Sequence, residues 1–304
     1  MTATPAIRTF ARHRRRHTNG FIVVAVLWIL GALAALASIY AIYVVNTAAS
    51  LRVNDDRVQA EALITAGLEL TAYRLLGEPQ EVRPAGGAFR FRLGRATVVV
   101  GYRSEAARID LNMAPKELLA GLWAALGARQ DAAEYYADRI VGWRQSGDVA
   151  GENKEAELYR TAGLAYGPRQ APFASAGELW LVLGLPPGLV ERALPFVTVF
   201  SGSPDVNVLE AAPEVVAALP GMTADRLYAI LGQRGPGTAN ARVVEDLLGA
   251  PGGGQGSKAT RVTVDIAFDN GRRVRGEAVI LLLGDEAVDP YRVLSWHDDF
   301  DGPA

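Results

Sequence analysis

Residues 21–45 are the feature that most constrains this chain, because they form an apolar run long enough to cross a lipid bilayer. No Asp, Glu, Lys or Arg occurs between His17 and Leu51. A helix over this run would reach roughly 37 Å, which exceeds the ~30 Å hydrocarbon core of a bilayer. The apolar region of a cleaved secretory signal has only about 7–15 residues. The run therefore predicts a transmembrane anchor at about residues 21–45.

The orientation of this anchor follows from the basic residues in front of it. Five arginines precede the run: Arg8, Arg12, Arg14, Arg15 and Arg16. Positive flanks stay on the cytoplasmic side, so the N-terminus is expected in the cytoplasm and the rest of the chain outside. Polarity changes abruptly at the Gly20–Phe21 bond, which makes residues 1–20 a candidate leader that is removed there.

The helical pattern continues beyond the membrane run. Leu63, Ala66, Leu70 and Tyr73 recur at intervals of three and four residues, which is helical spacing, and Gly77 with Pro79 ends it. The sequence therefore predicts one helix over residues 21–77.

Two β-rich blocks enclose a helical one. Residues 89–104 alternate and are rich in β-branched side chains, which predicts a hairpin; residues 261–283 predict another around Asn270-Gly271. Residues 105–250 have helical patterns interrupted by Gly and Pro, and residues 252–256 are typical of a flexible linker. We therefore predict an α+β fold. Residues 78–104 and 251–304 contribute an antiparallel sheet, and residues 105–250 form an all-helical domain inserted between its strands.

The predicted insert contains an internal repeat. Residues 109–122 and 205–219 each have an Asn, then Ala-Pro opening a helix with an acid in its first turn. Asn112 and Asn207 can cap the approach, and Pro115 and Pro213 suit a first helical turn. Residues 175–194 predict a further helix–turn–helix, and the units resemble helix-hairpin-helix (SAM-like) motifs. The predicted core residues are Leu118, Leu119, Leu122, Trp123, Ile140, Trp143, Trp180, Leu181, Leu183, Leu219, Leu227 and Ile230.

The leader and the long helix together resemble the type IV pilin and type II secretion pseudopilin family. In that family a prepilin peptidase cuts after the leader glycine on the cytoplasmic side, and the new N-terminus is methylated. Gly20 and Phe21 match those positions. The fifth mature residue is usually Glu but is Ala25 here, and a missing Glu is characteristic of the minor pseudopilin K family. Further landmarks of that family follow in order: residues 108–112, 140–144, 175–179 and 291–296.

This resemblance implies a pilin-like fold that carries a large helical insert, in a single-pass inner-membrane protein of a Gram-negative bacterium with a periplasmic C-terminal domain. It implies assembly with the minor pseudopilins I and J, and further contacts with pseudopilin H and the major pseudopilin G. The implied role is at the pseudopilus tip, where the protein would start or cap assembly during export of folded proteins across the outer membrane. An insert of this size is too bulky to be stacked inside a filament, which favours the tip.

Two alternatives stay open on the sequence: a minor pilin of a type IV pilus or competence system, and a membrane-anchored helix-hairpin-helix receptor for DNA. Charge disfavours the second. Residues 105–250 hold 12 Lys and Arg against 18 Asp and Glu, a net charge of −6. Because DNA binding depends largely on cations that neutralise phosphates, we expect no nucleic-acid partner.

Catalysis has little support in the sequence. The chain has no cysteine and three histidines, His13, His17 and His297, of which two lie in the leader. Serine-hydrolase, zinc-protease, Walker A and dinucleotide-binding motifs are missing from the sequence. We therefore expect a protein that is not an enzyme.

One acidic loop is a candidate calcium site. Asp148, Glu152, Glu155 and Glu157 fall within ten residues, and calcium takes six to eight oxygen ligands in flexible arrangements. The resemblance implies the same, since calcium binding is known in the family. This chain departs from the family pattern, with Gln145 where the first Asp is expected and Lys154 inside the cluster. A solvated loop without metal is the alternative.

Overall fold

The structure is a computed structural model that describes residues 19–79, 83–145, 154–234, 243–244, 246, 257–284 and 287–299, with side chains undescribed at 19–20, 45–56 and 298–299. The chain divides into two compact units, Met1–Gln59 and Ala60–Ala304.

Helix α1 spans Asn19–Leu76 and contains the apolar run. Its segment Phe21–Val44 is the one helix in the described residues that is long and apolar enough to cross a membrane, and none of it is buried within the protein. The prediction of a long helix that ends near Leu76 is confirmed. An exposed apolar helix of this length fits a single-pass membrane anchor.

The second unit is built around a five-stranded antiparallel sheet with the order β1-β2-β5-β6-β7. Its strands are β1 (Gly86–Leu93), β2 (Ala96–Ser104), β5 (Ala259–Phe268), β6 (Arg273–Leu282) and β7 (Tyr291–Asp299). Strand β2 pairs with β5 in a register that places Val100 opposite Val264, so strands from both sides of the helical block share one sheet. The predicted α+β class with an antiparallel sheet is confirmed.

One face of this sheet packs against the C-terminal part of α1. The helix contributes a stripe that recurs every three or four residues: Ala60, Leu63, Ile64, Leu68, Ala72 and Leu75, all buried. Glycines permit the close approach, since a Cβ on Gly276 would lie 2.6 Å from Ile64 Cδ1. Each fully buried Leu or Ile side chain contributes about 1.5–3 kcal/mol, so this stripe is the main stabiliser of helix against sheet.

The predicted β5–β6 hairpin is confirmed, but its turn is longer than a two-residue loop. The amide of Gly271 donates to Phe268 O (2.9 Å), and the amide of Phe268 donates to Arg272 O (2.9 Å). Gly271 has φ +87°, a left-handed conformation that suits glycine. The turn is therefore a three-residue loop with Gly271 in the bulge position.

The insert between β2 and β5 is mostly helical. Its elements are β3 (Ile109–Asp110), α2 (Lys116–Ala125), α3 (Gln130–Arg144), α4 (Lys154–Thr161), α5 (Pro187–Ala193), β4 (Val197–Thr198), α6 (Pro213–Ala217) and α7 (Ala224–Gly232), with 3-10 turns at Glu105–Ala107, Ala176–Leu181 and Leu194–Phe196. The prediction of an all-helical insert is wrong in one respect, because β3 and β4 form a short parallel pair. This pair joins the beginning of the insert to its middle.

Most of the predicted core of the insert is confirmed. Leu118, Leu119, Leu122, Trp123, Ile140, Trp143 and Ile230 are buried, and Leu183, Leu219 and Leu227 pack against them. Trp180 and Leu181 were predicted wrongly, since they are 49% and 45% exposed. Residues 176–181 form a 3-10 turn instead of an α-helix, so the spacing that would have buried both side chains with Leu179 does not apply.

Candidate functional site

The insert contains two copies of one backbone turn, one before α2 and one before α6, which define the internal repeat. Asp110 Oδ1 accepts from the amide of Asn112 (2.8 Å), and Asp110 O accepts from the amide of Ala114 (2.8 Å). Asn207 does the same with Leu209 (3.0 Å) and Ala211 (2.9 Å). Asp110 is therefore the counterpart of Asn207, and the predicted pairing of Asn112 with Asn207 is wrong by two residues.

A half-buried arginine completes each turn. Arg144, at the end of α3, donates to Leu111 O and to Ala114 O (2.7 Å), and Arg234, after α7, donates to Val208 O. Burial lowers the pKa of both guanidinium groups. Both arginines end the pattern Ile-x-Gly-x-Arg, at residues 140–144 and 230–234, a shared signal that was not among the predicted features of the repeat.

Neither asparagine caps a helix as predicted. The N-cap residues of α2 and α6 are Pro115 and Ala212, and neither makes a side-chain cap hydrogen bond. Asn112 instead pins a distant loop, because its Oδ1 accepts from the amide of Phe173 (2.7 Å) and its Nδ2 donates to Phe173 O (3.1 Å). The asparagine thus contributes tertiary structure to the insert.

The surroundings of the hairpin between α6 and α7 bear on the expectation that the insert has no nucleic-acid partner. Met222 N donates to Leu219 O (3.1 Å), and Gly221 has φ +70°. Glu117 and Glu134 line the groove beside this hairpin, and the one basic residue among its described lining residues, Lys116, pairs with Asp138 at 2.6 Å. This acidic environment disfavours contact with phosphates.

Glu178 has a structural role within the landmark at residues 175–179. Its Oε2 accepts from Trp143 Nε1 (3.1 Å), and its Oε1 accepts from Arg169 Nη1 (2.8 Å) and from the amide of Ala174 (3.1 Å). The carboxylate therefore holds the segment before it against α3. Two of the family landmarks in the sequence, residues 140–144 and 175–179, meet in this one contact.

The junction between sheet and insert contains a buried charge that was not predicted from the sequence. Glu105 follows β2 directly and is fully buried. It pairs with Arg261 of β5 (2.7 Å) and accepts from the hydroxyl of Thr198 in β4. Arg261 also pairs with Glu277 of β6. No local pattern marks Glu105, because Thr198 and Arg261 lie 93 and 156 residues away along the chain.

The four predicted calcium ligands are only partly described. Asp148 and Glu152 lie outside the described residues. Glu155 Oε2 lies 2.7 Å from Arg139 Nη1 in a largely buried pair, and burial raises the pKa of Glu155. Glu157 pairs with Arg160. The two described carboxylates therefore face separate arginines and do not form a shared cation site, and no group of three metal-binding side chains occurs among the described residues. Calcium binding at this loop stays a prediction.

The predicted processing site lies at the start of α1. Gly20 is helical, Phe21 is 80% exposed, and Ala25 is half-buried. No acidic residue lies between Phe21 and Val44. Cleavage between Gly20 and Phe21 stays a prediction.

Comparison with known proteins agrees with these landmarks. Residues 102–202, which cover the end of β2 and about the first two-thirds of the insert, match the family of type II secretion system (T2SS) protein K. The crystal structure of the GspK-GspI-GspJ complex from the enterotoxigenic Escherichia coli type II secretion system contains a chain of similar fold. The TM-score is 0.59 at 17% identity, over 83% of this chain and 99% of that chain. No curated protein matches significantly by sequence. The resemblance to the minor pseudopilin K family is confirmed.

Proposed function

We propose that this protein is a minor pseudopilin that starts or caps the pseudopilus at its tip during export of folded proteins across the outer membrane. The observation that carries the proposal is the combination of a pilin-like helix and sheet with an insert of the protein K family, residues 102–202. We further propose that the chain assembles with pseudopilins I and J, because the protein of similar fold was crystallised in a complex with GspI and GspJ. Pseudopilins H and G are proposed as further contacts.

The absence of an acid near Ala25 supports a place at the end of the filament. In the family, the fifth-residue Glu pairs with the amino terminus of a neighbouring subunit inside the membrane. An unpaired charge there is costly. A subunit that begins the filament has no preceding amine to neutralise, so Ala25 spares it a stranded carboxylate. The five arginines of the leader support a cytoplasmic N-terminus and a periplasmic second unit.

The test is the position and abundance of the protein in assembled filaments. Immunogold particles against the insert should sit at one filament end, and the protein should be scarce relative to the major subunit. An Ala25→Glu variant should be neutral or harmful for secretion. Even labelling along the filament, or secretion improved by Ala25→Glu, contradicts tip placement. Co-purification with pseudopilins I and J tests the partners separately, and co-purification with type IV pilins instead favours the alternative system.

A further inference from the structure

A polar pocket lies where the outer face of the sheet, opposite α1, meets the first turn of the insert. Its volume is about 660 Å³. Small residues of the outer face form its floor: Gly86, Ala88, Gly101 and Thr263. A Cβ on Gly101 would meet nothing within 4 Å, so the space above this strand is open. A side chain or an extended segment from outside can therefore reach the floor.

The walls of this pocket carry charges of both signs. The arginines are Arg103, Arg108, Arg261 and Arg275, and the glutamates are Glu105, Glu210 and Glu277. Glu105 and Glu277 are both engaged by Arg261. Arg275 lies 3.7 Å from Asp265, so Arg103, Arg108 and Glu210 are the lining charges that have no ion pair among the described residues.

Arg103 and Arg108 line this pocket without a side-chain hydrogen bond or ion pair among the described residues, and the more buried of the two is Arg108. It is half-buried, and no described residue gives its guanidinium a hydrogen bond or an ion pair. Burial lowers the pKa of Arg108, the neighbouring Arg261 lowers it further, and the nearby carboxylates of Glu105 and Glu277 partly oppose this shift. A guanidinium carries five donors in a rigid fork, and those of the half-buried Arg108 are open to an acceptor from outside the chain. Arg261, which also lines this pocket, shows the arrangement that a satisfied arginine adopts in this region.

We propose that this pocket receives a carboxylate side chain from another protein, which lies against the outer face of the sheet and pairs with Arg108. The guanidinium fork matches a carboxylate in a bidentate pair. The mixture of positive and negative side chains on the pocket walls also restricts which kind of partner can bind. A polyanion such as a nucleic acid or an anionic membrane surface would meet Glu210, Glu277 and Asp265, whereas a single carboxylate flanked by hydrogen-bond donors fits between them. Arg90, exposed on the same face opposite Val99, extends the basic rim.

Cross-linking in producing cells tests this with the full chain. A photoreactive benzophenone side chain replaces Thr263 on the floor of the pocket, with replacement of the 74% exposed Tyr228 on α7 as the control position. The expected product at 263 is an adduct to a different protein, at a peptide next to an Asp or Glu. Its yield should fall about tenfold in Arg108→Gln, less in Arg108→Lys, and not at all in Arg129→Gln, where the arginine is exposed and distant from the pocket in sequence.

The decisive experiment exchanges the charge of Arg108 with that of the partner's acidic residue. In Arg108→Glu the adduct should be lost, and replacing the partner's acid by Arg should restore it, with unchanged trypsin resistance showing that both proteins remain folded. The proposal is overturned by any of four results: a yield that Arg108→Gln leaves unchanged, equal losses in Arg108→Gln and Arg108→Lys, an adduct only to lipid or to a second copy of this chain, or no adduct at all. These outcomes do not depend on where in the filament the protein sits.

Discussion

Arg261 and Glu105 form a buried ion pair across 156 residues of sequence, with Nε 2.7 Å from Oε1 and Nη2 3.2 Å from Oε2. The side chain of Glu105 is 1% exposed and that of Arg261 is 18% exposed. The hydroxyl of Thr198 donates to the same carboxylate. Glu105, the first residue after β2, therefore contacts β5, which follows the insert in the chain, and β4, which lies within the insert.

Arg261→Ala should lower the free energy of unfolding by about 3–5 kcal/mol, because it leaves Glu105 buried without its counter-charge. Urea unfolding of the full chain in detergent measures this. Arg275→Ala is the control, since Arg275 and Asp265 are both exposed and 3.7 Å apart, and it should cost about 1 kcal/mol or less. Equal losses of unfolding free energy in the two variants would show that the buried pair stabilises the fold no more than the exposed one.

Gly121→Ala should destabilise the insert, since α2 contacts the end of α6 at this glycine. An added Cβ would lie 2.0 Å from Ala218 O, so the two helices would have to move apart. Overpacking of this kind costs about 1–3 kcal/mol. Gly232→Ala in α7 is the matched control, because nothing lies within 4 Å of its Cβ position and alanine favours a helix. Thermal unfolding should separate the two, and a Gly121→Ala protein as stable as wild type would refute the close contact.

Stability should fall between about pH 10 and pH 12 in a way that depends on Tyr159. Burial raises the pKa of its hydroxyl to about 12, and that oxygen accepts from the amide of Leu183 (2.8 Å). The unfolded chain loses this proton near pH 10 and the folded chain near pH 12. The folded state therefore binds more protons in between, and stability is lost as pH rises.

The comparison of wild type with Tyr159→Phe over pH 8–12 isolates this effect. The free energy of unfolding of wild type should decline more steeply, by up to about 1.4 kcal/mol per pH unit. Tyr228→Phe, at an exposed tyrosine, should keep the wild-type slope. Parallel profiles for wild type and Tyr159→Phe would contradict the prediction.

The mature protein should begin at a methylated Phe21. Mass analysis of protein from cells with an active prepilin peptidase should show this N-terminus, because the polarity of the chain changes at the Gly20–Phe21 bond. Gly20→Val should leave the leader attached, since a branched side chain replaces the small residue at the bond. Recovery of the intact chain with Met1 from such cells would refute the cleavage site.

Calcium should release or absorb heat when titrated into the full chain if the acidic loop is a metal site. Asp148→Asn combined with Glu152→Gln should abolish that heat, because both changes remove anionic ligands. Glu157→Gln should have little effect, since Glu157 already pairs with Arg160 and is exposed. The absence of heat in wild type, with an unchanged melting temperature, would favour the solvated loop.

Local patterns predicted much of the fold correctly. The α1 helix, the β1–β2 and β5–β6 hairpins and most of the core of the insert follow from residue periodicity. The same patterns were less reliable about which face is buried. Leu63 of the predicted stripe is buried, but Tyr73 is 78% exposed, because the sheet lies against the neighbouring stripe through Ile64 and Ala72.

The internal repeat illustrates the same limit. The sequence indicated that residues 109–122 and 205–219 are related, but alignment by residue identity paired Asn112 with Asn207. Hydrogen bonds pair Asp110 with Asn207, because either side chain can accept the amide two residues ahead. Residue identity was therefore a weaker guide to equivalence than backbone geometry.

The sequence by itself determined the anchor, the strands and the helices, because their signals are periodicities within a few neighbouring residues. Only the tertiary structure decided that Glu105 contacts Arg261 and Thr198, that Trp180 is exposed, and that the guanidinium of Arg108 has no hydrogen bond or ion pair among the described residues. Each of these depends on which distant segments arrive at one place. Burial and ion pairing depend on the three-dimensional surroundings of a residue, which its type and its spacing in the sequence do not specify.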